Sequence, residues 1–262
     1  MKRIDEFVKM KKDGKKISMV TCYDYTSARI ATHSEIDVIL VGDSASMVMH
    51  GYDTTLNATL EMMSSHVRAV RKGAPDKFII GDMPFLAHRK GFSKTMDAVD
   101  GLMKSGAEAV KIEGAAGQLD IISHIVESGV PVMGHLGLTP QSLHKLGGYK
   151  VQGKNDETAE KMKRDAKSLE DTGVFSLVLE LVPAQLAKEI TESLVIPTIG
   201  IGAGPHTSGQ VLVWQDVLGM NNGFSPKFLR TYLDGNKLIQ DALNQFNKEV
   251  KDQSFPSEKE SF

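Results

Sequence analysis

The stretch AVKIEGAAGQLDIISHIVESGVPVMGHLGL, residues 109–138, decides the fold. AVKIEG (109–114) and PVMGHLGL (131–138) are short β-rich runs, apolar at nearly every position. Between them Leu119, Ile122, Ile125 and Val126 mark one helix face, and Gly129 stands where a C-cap belongs. A strand, an amphipathic helix and a second strand of this kind form one unit of a parallel sheet covered by helices.

The same rhythm runs outward in both directions. Upstream lie ISMVTCYD (17–24), DVILVGDS (37–44) and FIIGDMPF (78–85); downstream lie FSLVLELV (175–182), PTIGIGAG (197–204) and QVLVWQDVL (210–218). Ala159, Met162, Ala166 and Leu169 mark another helix face, closed by Gly173. Eight such units in about 250 residues predict a (β/α)8 TIM barrel, with a doubly wound open sheet as the alternative. IDEFVKMKKD (4–13) reads as an N-terminal helix, and residues 225–252 read as helical material closing the barrel. The 262 residues are expected to form one domain, with a polar tail at about 253–262. Residues 137–154 have no steady period and are too long for an ordinary βα loop, which predicts a functional role.

Composition narrows the function classes. Lys and Arg number 31 against 33 Asp and Glu, so the net charge of −2 supplies no field for nucleic acid or an anionic bilayer. A small-molecule partner is expected. The single cysteine, Cys22, excludes an intrachain disulfide and a zinc ribbon, and predicts a reducing compartment. Charges interrupt every apolar stretch of the N-terminus, and no segment approaches a membrane span. A cytoplasmic location is the expectation.

Active sites of such barrels lie at the C-terminal strand ends. Asp24, Asp43 with Ser44, Asp82, Lys111 with Glu113, His135 and Glu180 stand at the ends of strands one to six. Asp43, Asp82 and Glu113 close three consecutive strands about 4.8 Å apart, so their carboxylates could reach one Mg²⁺. The plainer alternative is that each acid caps the following helix. Lys111 and Glu113 share a face, where the Lys could meet an anionic substrate, form a structural ion pair or act as a Schiff-base amine. Glu180, between Leu179 and Leu181, suits a general base in an apolar setting, the alternative being a solvated strand-end carboxylate. His135 could donate a hydrogen bond or ligate metal, or simply be a satisfied core residue. GIGAG (200–204) lacks a phosphate-loop pattern, so its glycines imply a close backbone approach to a ligand or a neighbouring turn. Cys22 reads as a small buried hydrophobe.

VGDS (41–44), GDMPF (81–85), KIEG (111–114), GHLGLTPQS (134–142), GGYKVQGK (147–154), LVLELVP (177–183) and IPTIGIGAG (196–204) form an ordered series. That series resembles the ketopantoate hydroxymethyltransferase family from residue 21 to residue 228. The resemblance implies a Mg²⁺-dependent barrel enzyme of pantothenate, and so coenzyme A, biosynthesis. It would move a hydroxymethyl unit from 5,10-methylenetetrahydrofolate to 3-methyl-2-oxobutanoate. Carried over, Asp43 and Asp82 hold the metal with Glu113 beside it, directly or through water. Asp43, Ser44, Asp82, Lys111 and His135 surround the ketoacid, and Glu180 matches the proton acceptor. Homo-oligomers, commonly decamers, are implied as well. Ala45-Ser46-Met47, Asn57 and Ser208 depart from the family pattern without removing a catalytic group.

The implied chemistry agrees with the residues. A 2-oxoacid can chelate Mg²⁺, which would stabilise the enolate formed when a base takes the C3 proton. A carbon–carbon lyase of the phosphoenolpyruvate mutase and isocitrate lyase kind is the competing enzyme, and its lyases place a catalytic Cys on a loop, unlike Cys22. A non-catalytic scaffold is the third reading, and it leaves the polar strand ends unexplained.

Overall fold

Alternation along eight short strands sets the architecture of the computed structural model, which describes residues 2–221, 223 and 225–262. The strands are β1 (Ile17–Thr21), β2 (Val38–Val41), β3 (Phe78–Asp82), β4 (Ala109–Glu113), β5 (Val132–Gly137), β6 (Ser176–Glu180), β7 (Thr198–Ile201) and β8 (Gly209–Leu212). They pair in sequence order, all parallel, and β1 closes the ring on β8. A closed ring excludes the open doubly wound sheet and is the expected (β/α)8 barrel.

Helix α1 (Ile4–Lys12) precedes β1, and α2 (Tyr25–Thr32), α3 (Ala45–Val48), α4 (Leu60–Gly73), α5 (Phe92–Lys104) and α6 (Leu119–Glu127) run between the first five strands. They are followed by α7 (Leu143–Leu146), α8 (Asp156–Asp171), α9 (Ala184–Ser193), α10 (Trp214–Val217) and α11 (Gly235–Lys251). Ile122 and Ile125 of α6, and Met162, Ala166 and Leu169 of α8, are buried as their spacing predicts. Gly129 and Gly173 follow the two helices with φ of 90° and 96°, the left-handed ending that glycine makes without strain.

Side chains of one strand face supply the barrel interior. Val38 and Leu40, Phe78 and Ile80, Ala109, Met133, Val178, Ile199 and Val211 share one buried cluster. Phe7 of α1 joins it, its ring 5.2 Å from Phe78 and 6.5 Å from Phe175. The same two-residue period continues upward to Asp82, Lys111, Glu113, His135 and Glu180. Apolar burial below therefore places the charged groups above.

The chain divides into two compact units, Met1–Leu212 and Val213–Phe262. The eighth expected strand is correct only to Leu212, because residues 214–217 are helical. Pairing with β1 ends at Leu212 and pairing with β7 at Gln210, and an apolar run without a partner strand is as compatible with helix. In the second unit the expected helix over 225–252 begins only at Gly235, where the Asp234 side chain accepts from the Lys237 amide.

Candidate active site

Strand register assembles the site. Asp82 of β3 is level with Lys111 of β4, Glu113 of β4 with His135 of β5, and Gly137 of β5 with Glu180 of β6. Lys111 Nζ lies 3.3 Å from Asp82 Oδ1, 3.8 Å from Glu113 Oε1 and 3.2 Å from His135 Nδ1. His135 spans the two glutamates, its Nδ1 3.4 Å from Glu113 Oε1 and its Nε2 3.3 Å from Glu180 Oε2. Asp82, Lys111, Glu113 and His135 are all buried, whereas the Glu180 side chain keeps 19% of its surface exposed. Glu180 is therefore the member of the cluster open to an arriving substrate.

Asp43 sits just beyond β2 and is also buried. Its amide donates to Asp82 Oδ2 at 3.0 Å, and its Oδ2 accepts from Gln141 Nε2 at 2.8 Å. Neither bond is a helix cap. Asp24 behaves differently, since its Oδ1 accepts from the Ser27 amide at 2.9 Å and starts α2. Thus the capping alternative fails for Asp43 and Asp82, whereas Asp24, outside the expected metal set, does cap a helix. Ser44 Oγ lies 2.8 Å from the hydroxyl of buried Tyr23.

The electrostatics follow from four carboxylates around one ammonium and one imidazole. Burial, then the charges of Asp82 and Glu113, push the Asp43 carboxyl well above the usual range. Burial also raises Asp82, although Lys111 and the Asp43 amide oppose it. Burial alone would lower Lys111, but Asp82, Glu113, Asp43 and Glu180 outweigh it and hold the amine protonated. A permanently charged amine is a poor Schiff-base nucleophile, which favours its role as a counter-charge. Glu113 falls below the ordinary carboxylate range despite burial, because His135, Lys111 and the Gln141 amide stabilise its anion. Burial would also depress His135, as would Lys111, yet Glu113 and Glu180 raise it.

These groups fit a divalent cation. Three buried carboxyl groups, Asp43, Asp82 and Glu113, gather around one ammonium and one imidazole, and apart from the Lys111 ammonium the buried Asp82 Oδ1 has no donor. Among the described residues no three carboxylate, imidazole or thiol groups form a metal cage by themselves. An ion that keeps several waters and takes one or two carboxylates suits such a site, as Mg²⁺ does. Glu113 is turned toward Lys111, His135 and the Gln141 amide, whose nitrogen lies 3.0 Å from its Oε2.

The residues that bind the site together include several the sequence reading passed over. Gln141 reaches Asp43 and the Met83 carbonyl with its side chain and Glu113 with its amide. It lies in the long irregular loop after β5, so the loop's length was the available signal. Gln118 donates to the Glu113 carbonyl at 2.7 Å. Ser46, one of the departures from the family pattern, has its hydroxyl 2.9 Å from the carbonyls of Asp43 and Thr54 and so ties down the turn beside the site. Gly137, φ 94°, admits no side chain, because a Cβ there would lie 2.1 Å from the Glu180 carbonyl oxygen. Leu181, φ 47°, occupies the left-handed region without being glycine, at about 1–2 kcal/mol. Its amide donates to the Ile201 carbonyl and its carbonyl accepts from the Gln152 amide, which fixes the turn after Glu180. Within GIGAG, Gly204 lies against the start of α9, since a Cβ there would be 2.4 Å from Ala184 Cβ.

A family described as Ketopantoate hydroxymethyltransferase matches residues 1–258. The chain is 58% identical over 262 residues to a 3-methyl-2-oxobutanoate hydroxymethyltransferase of Bdellovibrio bacteriovorus, covering 100% of both chains. It is 60% identical over 252 residues to one of Coxiella burnetii, covering 96% of this chain and 95% of the relative. Among solved structures, phosphonopyruvate hydrolase in complex with oxalate and Mg²⁺ superposes with a TM-score of 0.63 at 11% identity, over 99% of this chain and 93% of that one. A 2,3-dimethylmalate lyase of the PEP mutase/isocitrate lyase superfamily gives 0.60 at 14% identity, over 99% and 91%. At such identities the likeness concerns the fold alone.

Proposed function

The chain belongs to the ketopantoate hydroxymethyltransferase family, an enzyme family, and from that membership we propose the donor, the ion and the residue roles of its reaction. The acceptor is 3-methyl-2-oxobutanoate, the donor 5,10-methylenetetrahydrofolate, and the product ketopantoate, on the route to pantothenate and coenzyme A. The observation that carries this reading is the strand register that sets Lys111 among Asp82, Glu113 and His135, with Glu180 partly exposed beside His135.

Asp43 and Asp82 would hold Mg²⁺, with Glu113 behind them orienting Lys111 and His135. Bound there, the ion supplies Lewis-acid stabilisation of negative charge developing on the 2-oxoacid. The ammonium of Lys111 and the hydroxyl of Ser44 pair with the substrate's carboxylate end. Tyr23 fixes the position of the Ser44 hydroxyl. Glu180 accepts the C3 proton, and His135, 3.3 Å from Glu180, steadies that carboxylate. The electron pair left at C3 then forms the new carbon–carbon bond to the one-carbon unit, whose two bonds to folate nitrogens break. A water supplies the hydroxyl oxygen, and tetrahydrofolate leaves carrying the C3 proton and one proton of that water. No protein nucleophile is needed, which accords with a buried Cys22 whose thiol burial pushes up to about 12.

The test is ketopantoate formation from ketoisovalerate and methylenetetrahydrofolate, with Mg²⁺ and after exhaustive chelation. Turnover that returns only with added ion is expected, and full activity without it would remove the metal assignment. A homo-oligomer in the cytoplasm completes the proposal. No helix among the described residues is long and apolar enough to cross a membrane. Leu238, Ile239, Leu243, Phe246 and Val250 all stand exposed on α11, and their spacing puts them on one face.

A further inference from the structure

Away from the carboxylate cluster two imidazoles meet, His50 in the turn after α3 and His66 on α4. Their Nε2 atoms are 2.9 Å apart and their ring planes are inclined at 74°. His66 is held from behind. Its Nδ1 lies 2.6 Å from the Tyr23 carbonyl oxygen, which can only accept, so Nδ1 carries the proton and Nε2 presents a lone pair toward His50. A backbone carbonyl on the far nitrogen is the usual support of a metal-ligating histidine, fixing its tautomer and ring orientation.

The present spacing is that of a hydrogen bond, with the rings nearly end to end at a centroid separation of 5.1 Å, so a shared ion needs His50, in its exposed turn, to swing its Nε2 beside that of His66. We propose that His50 and His66 form a second cation site, for a divalent transition metal of the Cu²⁺ or Ni²⁺ class. No third His, Cys, Asp or Glu among the described residues completes the set, so water or an exogenous ligand takes the other positions. Imidazole nitrogens favour these ions while carboxylate oxygens favour Mg²⁺, and the two sites therefore divide the metals by donor type. On binding, His50 moves its proton from Nε2 to Nδ1, and two metal–nitrogen bonds replace the bond between the imidazoles. Tyr23, which anchors His66 through its carbonyl, also meets Ser44 through its hydroxyl, so a single residue links this ligand of the ion to a proposed substrate contact.

The test is titration of the Mg²⁺-saturated protein with Cu²⁺, followed by electron paramagnetic resonance. One tetragonal ion per chain, with hyperfine structure from two imidazole nitrogens, is expected. His50→Gln removes one ligand and leaves the His66–Tyr23 contact intact. It should abolish the two-nitrogen pattern and weaken binding by more than the roughly hundredfold that loss of an outer-shell partner can cost. An unchanged signal in His50→Gln would overturn the site, as would copper that excess Mg²⁺ displaces, because that copper would reside among the carboxylates.

Discussion

Glu180 and Lys111 are the residues on which the chemistry can be divided into parts. Glu180→Gln keeps the shape and removes the basic oxygen, so exchange of the C3 hydrogen of ketoisovalerate with deuterated water should fall at least about a hundredfold. This assay needs no folate, and wild-type exchange in the variant with substrate bound would move the base to His135. Lys111→Ala should raise KM for the ketoacid. It also strips the counter-charge from buried Asp82, 3.3 Å away, at about 3–5 kcal/mol of stability, read from the denaturation midpoint. Borohydride trapping of substrate on Lys111 would instead establish a Schiff base. The sequence exposed these charged residues because a strand end can be read by period, and an acid on an apolar strand stands out. It could not separate Asp24 from Asp43, since a cap and a site carboxylate look alike until their donors are seen. Gln141 was signalled only through the length of its loop, because a neutral amide in a segment without periodicity has no mark of its own, although it touches Asp43, Glu113 and Met83.

Elements were legible where apolar spacing was regular and obscure where it was not. The helix faces of α6 and α8 follow from residue spacing alone, whereas β8 ends earlier than its apolar run because its partner strands run out. Strand register, which brings Glu113 level with His135, depends on pairing between segments some twenty residues apart and has no local signature. The join between α8 and the segment entering β7 carries a test of its own. Glu170 Oε1 accepts from the amides of Val195 and Ile196 at 2.6 and 3.2 Å, and Lys167 lies 2.8 Å from Oε2. Burial opposes the anion, but Lys167 and the two amides prevail and depress the carboxyl below its ordinary 4.5. A depressed folded-state value means that the stabilisation is present above about pH 4.5 and is lost as pH falls through the folded value. Thermal denaturation between pH 6 and pH 3 should therefore show a shallower acid loss in Glu170→Gln than in the parent. At neutral pH the variant should be less stable by about 1–3 kcal/mol, the worth of hydrogen bonds to a charged group. Parallel acid profiles for the two proteins would assign the join to packing instead.

For the whole molecule the barrel was readable because eight repeats of one rhythm leave few topologies, while assembly was not, because a helix face shows its apolar residues without showing what covers them. The exposed stripe on α11 predicts self-association in solution. Sedimentation should give a mass above that of one chain, and Phe246→Glu together with Leu243→Lys should shift it toward the monomer. A monomeric parent protein at micromolar concentration would contradict the proposed oligomer. The ring itself constrains how the protein can be born. Ile17–Val20 belongs to the first strand made, yet its partner Gly209–Leu212 is the last. At about 5–20 residues per second, translation separates them by roughly ten to forty seconds. Throughout that interval β1 offers an open edge to any passing strand, as does the newest strand at the other side of the growing sheet. The enzyme's yield in a cell should therefore respond to elongation rate and to chaperone supply near the ribosome, well before any active-site residue has had a chance to matter.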